Sequence, residues 1–361
     1  MLNKNRHILL TPYSVFNHSS NLIKITTFAA IAKTFMGKNL KYAFIGVMSL
    51  WLASCSNNLN IQAPYKNITV VYGLLDQSDS AHYIRVNRAF EGIGNAYTIA
   101  KIYDSVYYPT NQITVQLYDV NSNKTINLTP DSTIPLPPGT FSYPKQMLYK
   151  TTAPLNVTDV YNLIVTNEKT HQQTTGSTAL LSDVNFTTNI AFQSTFPMLF
   201  STTSNSTIQW TTNPNTRIYQ MTLRFYYSET ISSVKTEKYI DWIFGSQTTA
   251  SLAGGANMTY AYNGIQFLNI VKAYIPVNDS AKRTADSIRM IFTSGSDDLN
   301  TYIQLSQPSL GINQDIPTFS DVKNGIGIYT ARHIQTITKP VSVITNDSLI
   351  FNPETVPLNF H

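Results

Sequence analysis

Cysteine is nearly absent: Cys55 is the only one in 361 residues. No intrachain disulfide can form, so the fold must be held by packing alone. Charge is scarce as well. Lys, Arg, Asp and Glu make up 12% of the chain, about half the ~25% of an average globular protein. The first 54 residues hold six basic residues and no acidic one. The formal charge of +5 and the pI near 9.0 therefore belong to that leader. Beyond it, 19 basic residues face 20 acidic ones. That balance leaves no basic patch, and nucleic acid drops out as a partner.

Catalytic signatures are missing too. There is no G-x-S-x-G elbow, no P-loop and no dinucleotide fingerprint. Four histidines lie beyond Cys55: His82, His171, His333 and His361. None falls into HxxxH or HxH spacing and none has a cysteine partner, so no metal site and no cofactor are expected. His82 and His171 read as strand residues. Asp297-Asp298 could be half of a carboxylate pair, but aspartate before a helical run is more often a cap. The expectation is a non-enzymatic protein.

What the chain does have is 22 Tyr and 17 Phe, set among neutral Asn, Ser, Thr and Gln. Disordered chains are poor in aromatic and β-branched residues; neutral polar faces alternating with such residues are typical of exported β-sheet proteins. Residues 67–75, 81–90, 113–120, 141–150, 161–168 and 171–180 read as short strands separated by turns at 8–12-residue spacing, a sandwich pattern. Residues 95–109 are partly helical in period and read as an insertion. Further strands fall at 206–212, 217–229 and 237–244. Residues 264–275 have a helical period, and 294–305 read as a strand end, an Asp-rich cap and a short helix. The fold expectation is mainly β. An immunoglobulin-like β-sandwich over 66–182 is followed by a second β-rich, fibronectin-III-like domain over 183–361 with two short helices.

The leader explains the cysteine. Lys38 and Lys41 precede an apolar run, Tyr42–Leu52, of signal-peptide length, well short of the roughly 20 residues that span a bilayer. Leu52-Ala53-Ser54-Cys55 then looks like a bacterial lipobox, so Cys55 is expected to carry diacylglycerol and palmitate after cleavage. Residues 1–54 form the leader and lipoprotein signal peptide, Met36 is the expected true start, and 55–65 form a lipidated tether. The membrane is thus a partner through the anchor.

Two further features invite function. Tyr103, Tyr107 and Tyr108, in the insertion, form a candidate ligand-binding cluster, because exposed aromatic faces stack on sugars or anchor peptides. The plainer reading is core packing. Asp followed by Ser or Thr and a small or aliphatic residue recurs, making Ser80, Ser105, Ser132, Ser280, Ser287 and Ser348 candidate O-glycosylation sites. Turn chemistry explains the same dipeptide.

Three stretches carry a resemblance: VVYGLLDQSDSAHYIRVNRAF (70–90), SIRMIFTSGSDDLNTYIQLSQ (287–307) and IPTFSDVKNGIGIYTARH (316–333). Their order resembles a family of Bacteroidota outer-membrane lipoproteins defined by a domain of unknown function, often encoded beside TonB-dependent receptors. Asn324, Gly325, Gly327 and Tyr329 fit its closing pattern, while Thr330-Ala331-Arg332 departs from it. Read from the residues alone, Asn-Gly makes a tight turn and the second glycine permits close backbone approach. The resemblance implies an outer-membrane lipoprotein that works as an accessory or ligand-capturing subunit of a TonB-dependent uptake system, for oligosaccharide or peptide. A structural or adhesive surface protein is the alternative.

Overall fold

The computed structural model describes residues 68–89, 95–187, 193–307 and 319–361. Cys55, the leader and the tether lie outside them. Within Tyr65–His361, one compact unit, the expected mainly β class with few helices holds. Among the described residues no helix is long and apolar enough to cross a membrane.

The first seven strands are β1 (Thr69–Leu75), β2 (His82–Arg88), β3 (Ile113–Asp119), β4 (Lys124–Asp131), β5 (Leu148–Thr151), β6 (Val160–Asn167) and β7 (Gln172–Ala179). Most alternate buried and exposed positions, as in β3, where Ile113, Val115 and Leu117 point inward; such alternation specifies register, because a one-residue slip would turn the apolar set outward. They run side by side in the order β1-β2-β5-β4-β3-β6-β7. β6 returns to lie beside β3 after the β3-β4-β5 meander, a Greek-key connection of the kind found in most sandwiches. The expected strand at 141–150 shrinks to β5, because Pro144 can donate no ladder hydrogen bond. His171 is in the β6–β7 turn with φ of 56° rather than in a strand.

The remaining strands are β8 (Asn185–Phe186), β9 (Ser206–Thr211), β10 (Thr216–Ile231), β11 (Val234–Ile243), β12 (Gln247–Thr248), β13 (Asn257–Tyr262), β14 (Lys282–Ser296) and β15 (Gly325–Pro340). β13, β9 and β8 form a small sheet facing the β11-β10-β14-β15 end of the large one. Trp210, Tyr219, Phe225, Phe267 and Phe292 pack in the core of this half. Five α-helices, α1 (Ala96–Ala100), α2 (Tyr103–Val106), α3 (Gly264–Tyr274), α4 (Asp297–Leu305) and α5 (Val343–Phe351), and a 3-10 turn at Val356–Leu358 are the helical elements of the described residues. α3 buries Phe267, Leu268 and Val271 and starts with a reciprocal Asn263–Gln266 capping box, which satisfies two otherwise orphaned donors.

Two hydrophobic cores meet near residue 182. One comprises residues from Val71 to Leu181, the other residues from Val184 to Phe360. The strands do not respect that division. β1 pairs in parallel with the first half of β15, and Val322, Tyr329 and Ala331 join the first core. The second half of β15 pairs with β14 in the other core. A bridge from Thr175 of β7 to Lys323 folds the path back on itself. Tyr329 fills the seam: a Cβ added to Gly73 or Gly176 would sit 2.8 or 2.9 Å from its ring. Gly327 has φ of +122°, and a Cβ there would lie 1.9 Å from the Val71 carbonyl. The close backbone approach expected at this glycine is therefore present, against β1.

Candidate functional site

The outer face of the β2-β1-β15 sheet carries a groove. Pairing aligns Arg85 of β2 with Tyr72 of β1, and Tyr72 with Ile328 of β15. The next outward row is Asn87, Val70 and Ile326. Alternation sends Val71, Leu75, Ile84 and Val86 inward to the core, so one sequence pattern builds both floor and foundation. Helix α4 lies over one side and contributes Leu299 and Tyr302. Its start is fixed by Ser296, whose Oγ accepts the Leu299 N–H at 3.1 Å. Asp297 and Asp298 occupy the first turn rather than the cap position, where carboxylates favour the positive end of the helix dipole.

The groove consists of two cavities of about 360 Å³ and 460 Å³ that share Tyr72, Arg85 and Tyr302. Each volume is in the range of small-molecule sites. The smaller is walled by Leu148, Leu299 and Ile328, the larger by Arg88, Tyr107, Phe141 and Ile326. Among the described residues no acidic side chain lines either cavity. Arg85 donates through Nη2 to Gln146 Oε1 at 2.7 Å, and Arg88 through Nε to the Ser105 carbonyl at 3.2 Å. Among the described residues neither guanidinium forms an ion pair with a carboxylate. Burial and the neighbouring Tyr302 push the Tyr72 phenol up, with Arg85 pulling the other way. Tyr107 is raised by burial and likewise held back by Arg85. Both phenols are protonated hydrogen-bond donors at neutral pH. The Asn87 Oδ1 atom is buried and makes no hydrogen bond.

The candidate tyrosines fall differently from the expectation of an exposed binding loop. Tyr107 and Tyr108 are 2% and 3% exposed and belong to the first core. Tyr108 hydroxyl lies 3.2 Å from Thr69 Oγ1. Tyr103 is half-buried and stacks on Tyr107 with centroids 4.7 Å apart. The insertion thus turns these three tyrosines onto the first core together with Val106, while Tyr97 of α1 is 70% exposed. Tyr107 still reaches the larger cavity from beneath. The residues that sequence reading did not single out are Tyr72, Arg85, Arg88 and Tyr302. For Tyr72 and Arg85 the only sequence signal was a polar position alternating within an apolar strand; Arg88, at the end of β2, and Tyr302, in α4, had no such signal.

Of the Asp-Ser/Thr serines, Ser80, Ser132 and Ser280 are exposed outside strands and helices. Ser105 lies in α2, Ser287 within β14 and Ser348 within α5, where its Oγ donates to the Ile344 carbonyl at 2.9 Å. Turn chemistry is visible at Asp131, whose Oδ1 accepts both the N–H and the hydroxyl of Thr133.

A second polar cluster was not legible at all. His333 of β15 sits between Asp76, at 2.9 Å from Nδ1, and Asp183, at 2.6 Å from Nε2. Asp76 also accepts the Ile334 N–H at 3.0 Å and the Ser78 hydroxyl at 2.7 Å. Burial opposes charge on His333, but the hydrogen bonds to the two aspartates win and raise it. Burial likewise opposes charge on Asp76, and the hydrogen bonds from His333 and Ser78 hold it below the ordinary carboxylate range.

The chain matches no protein-family model and no curated protein. Among solved structures it is similar to the C-terminal globular domain of an oligosaccharyltransferase from Pyrococcus abyssi, at 10% identity and a TM-score of 0.24. The match covers 64% of this chain and 49% of that one, so the chain spans about half the length of the structure it matches. A likeness at that score carries no argument about function.

Proposed function

We propose that this protein is a ligand-capturing accessory subunit of a TonB-dependent uptake system, held at the outer membrane by a lipid on Cys55. The observation that carries the capture part is the double cavity around Tyr72, Arg85 and Tyr302. It is concave and mostly apolar, and it contains a few convergent polar groups, the usual make-up of a small-ligand site. The lipobox-like Leu52-Ala53-Ser54-Cys55 supports the anchor, and the family resemblance supports the receptor. The adhesive reading would need an open sheet edge. One edge of the large sheet, β11, carries Lys235, Glu237, Lys238 and Asp241, and such charges discourage strand addition there.

The test is affinity purification of the full chain, tagged at its C-terminus, from detergent-solubilised outer membranes. Recovery of a TonB-dependent receptor in near-equal amount is the expected result. Recovery of the protein alone, from membranes in which it is abundant, would sink the accessory role.

A further inference from the structure

The groove's chemistry narrows the ligand. A neutral oligosaccharide presents hydroxyls around each ring, and each needs a partner once water is displaced. Much of the wall is supplied by Leu148, Leu299, Ile326, Ile328 and Phe141, which offer none, and the tyrosines and Thr330 in the lining are too few to serve every hydroxyl of an oligosaccharide. What the groove does offer is unspent cationic capacity. A guanidinium has five N–H donors in a fork that matches a carboxylate. Arg85 spends one on Gln146 and Arg88 one on Ser105. Among the described lining residues the charged ones are Arg85 and Arg88, both cationic.

Position adds a second constraint. Arg85 stands between the two cavities and lines both. A fatty acid carries its carboxylate at one end and would fill one cavity only. In the last residue of a peptide, the carboxylate, the side chain and the preceding main chain diverge from one Cα. Such a group can place its carboxylate on Arg85 and send one branch into each cavity.

We propose that the groove binds the C-terminal end of an apolar peptide, with the free α-carboxylate on Arg85 and Arg88. This rests on the capture reading and chooses peptide over oligosaccharide within it.

The test is titration calorimetry of the full chain in detergent micelles with four probes: the tripeptide Ala-Leu-Phe, its C-terminal amide, octanoate and maltotriose. The tripeptide acid is expected to bind, and the amide about tenfold or more weakly, because a charge-assisted fork is lost. In Arg85→Gln the acid should fall to the level of the amide. Arg85→Lys, which keeps the charge and loses the fork, should fall between. Equal affinity for acid and amide would overturn the carboxylate assignment and leave capture standing. Octanoate as tight as the tripeptide would overturn the two-cavity argument. Maltotriose binding without peptide binding would overturn the peptide class alone. If no probe bound, the inference would fail, while recovery of the receptor would still decide the accessory role separately.

Discussion

Arg283 is completely buried, and every part of its guanidinium is engaged. Nε and Nη2 reach Glu229 Oε2 at 2.9 and 2.7 Å, Nη1 reaches the Leu358 carbonyl at 2.5 Å, and Nη2 also reaches the Pro276 carbonyl at 3.0 Å. Lys238 pairs with the other oxygen of Glu229. The C-terminal residues are thereby locked to β14, with the Arg283 N–H on the Asn359 carbonyl and the His361 N–H on the Arg283 carbonyl. A buried ion pair is weak evidence of net stability, but removing one partner leaves desolvated groups bare. Arg283→Met is therefore expected to cost about 3–5 kcal/mol in urea unfolding, and Arg283→Lys to recover only part, lacking the fork. Asp321 is a residue with the opposite sign. Burial pushes its carboxyl up to about 6, against the pull of the Tyr329 N–H, and Asp298 adds repulsion. A carboxyl raised above its ordinary value of 3.8 contributes stability that is complete below that value and is lost as the pH rises through about 6. Asp321→Asn keeps an oxygen for the Tyr329 N–H and removes the buried charge. It should raise stability at pH 8 by about 2 kcal/mol and leave it nearly unchanged at pH 4, as read from denaturant midpoints. A variant less stable at pH 8 would show that the charge is tolerated.

At the scale of elements, β1 and β15 are tied twice, by their parallel ladder and by the Asp76–His333–Asp183 cluster. Asp76 follows the last residue of β1, His333 lies in β15, and Asp183 lies in the segment where one core gives way to the other. His333 is raised, so its stabilising contribution is complete below the unfolded value of about 6.5 and disappears as the pH rises through the folded value. Asp76 is lowered, so its contribution is present above the ordinary value and is lost in acid as the pH falls through the folded one. His333→Gln is expected to destabilise by about 2–4 kcal/mol at pH 6, and the gap from wild type should narrow towards pH 9. A gap that did not change with pH would mean that the histidine is neutral in the fold. This cluster also marks what sequence could not supply. Period-2 alternation made most strands of both halves legible, as did the helical period of α3 and the Asp-rich start of α4. The close approach at Gly327 was legible because few side chains fit such a backbone. Pairing across 250 residues has no local signature, so the β1–β15 ladder, the His333 contacts and the shared strand were not legible. The groove was hidden for the same reason. Tyr72, Arg85 and Ile328 come from three strands, and Tyr302 comes from a helix laid over them. The insertion tyrosines were conspicuous because they were clustered, yet clustering does not tell which face is buried.

For the whole molecule, two cores that share a strand should not unfold separately. β15 gives Tyr329 and Ala331 to the first core, and its second half borders the other one. Melting the first core would strip β15 of its β1 partner along seven paired residues and would expose the desolvated His333 cluster. The chain supplies its own reporter. Its three tryptophans are Trp51, Trp210 and Trp242; Trp210 is fully buried in the second core, with Trp242 packed against the same core. The first core contains no tryptophan among its residues and is rich in tyrosine. Leu163 lies in β6, fully buried in the first core and on a strand paired with β3 and β7. Leu163→Ala should cost about 2–5 kcal/mol through the cavity it leaves. If the sheet couples the two halves, the tryptophan fluorescence transition in urea shifts by the same amount as a far-ultraviolet circular dichroism transition, although Trp210 and Trp242 belong to the other core. A tryptophan transition that stayed in place while the circular dichroism signal split in two would show that the cores unfold independently. The shared strand would then be a lateral contact between two separately folding halves.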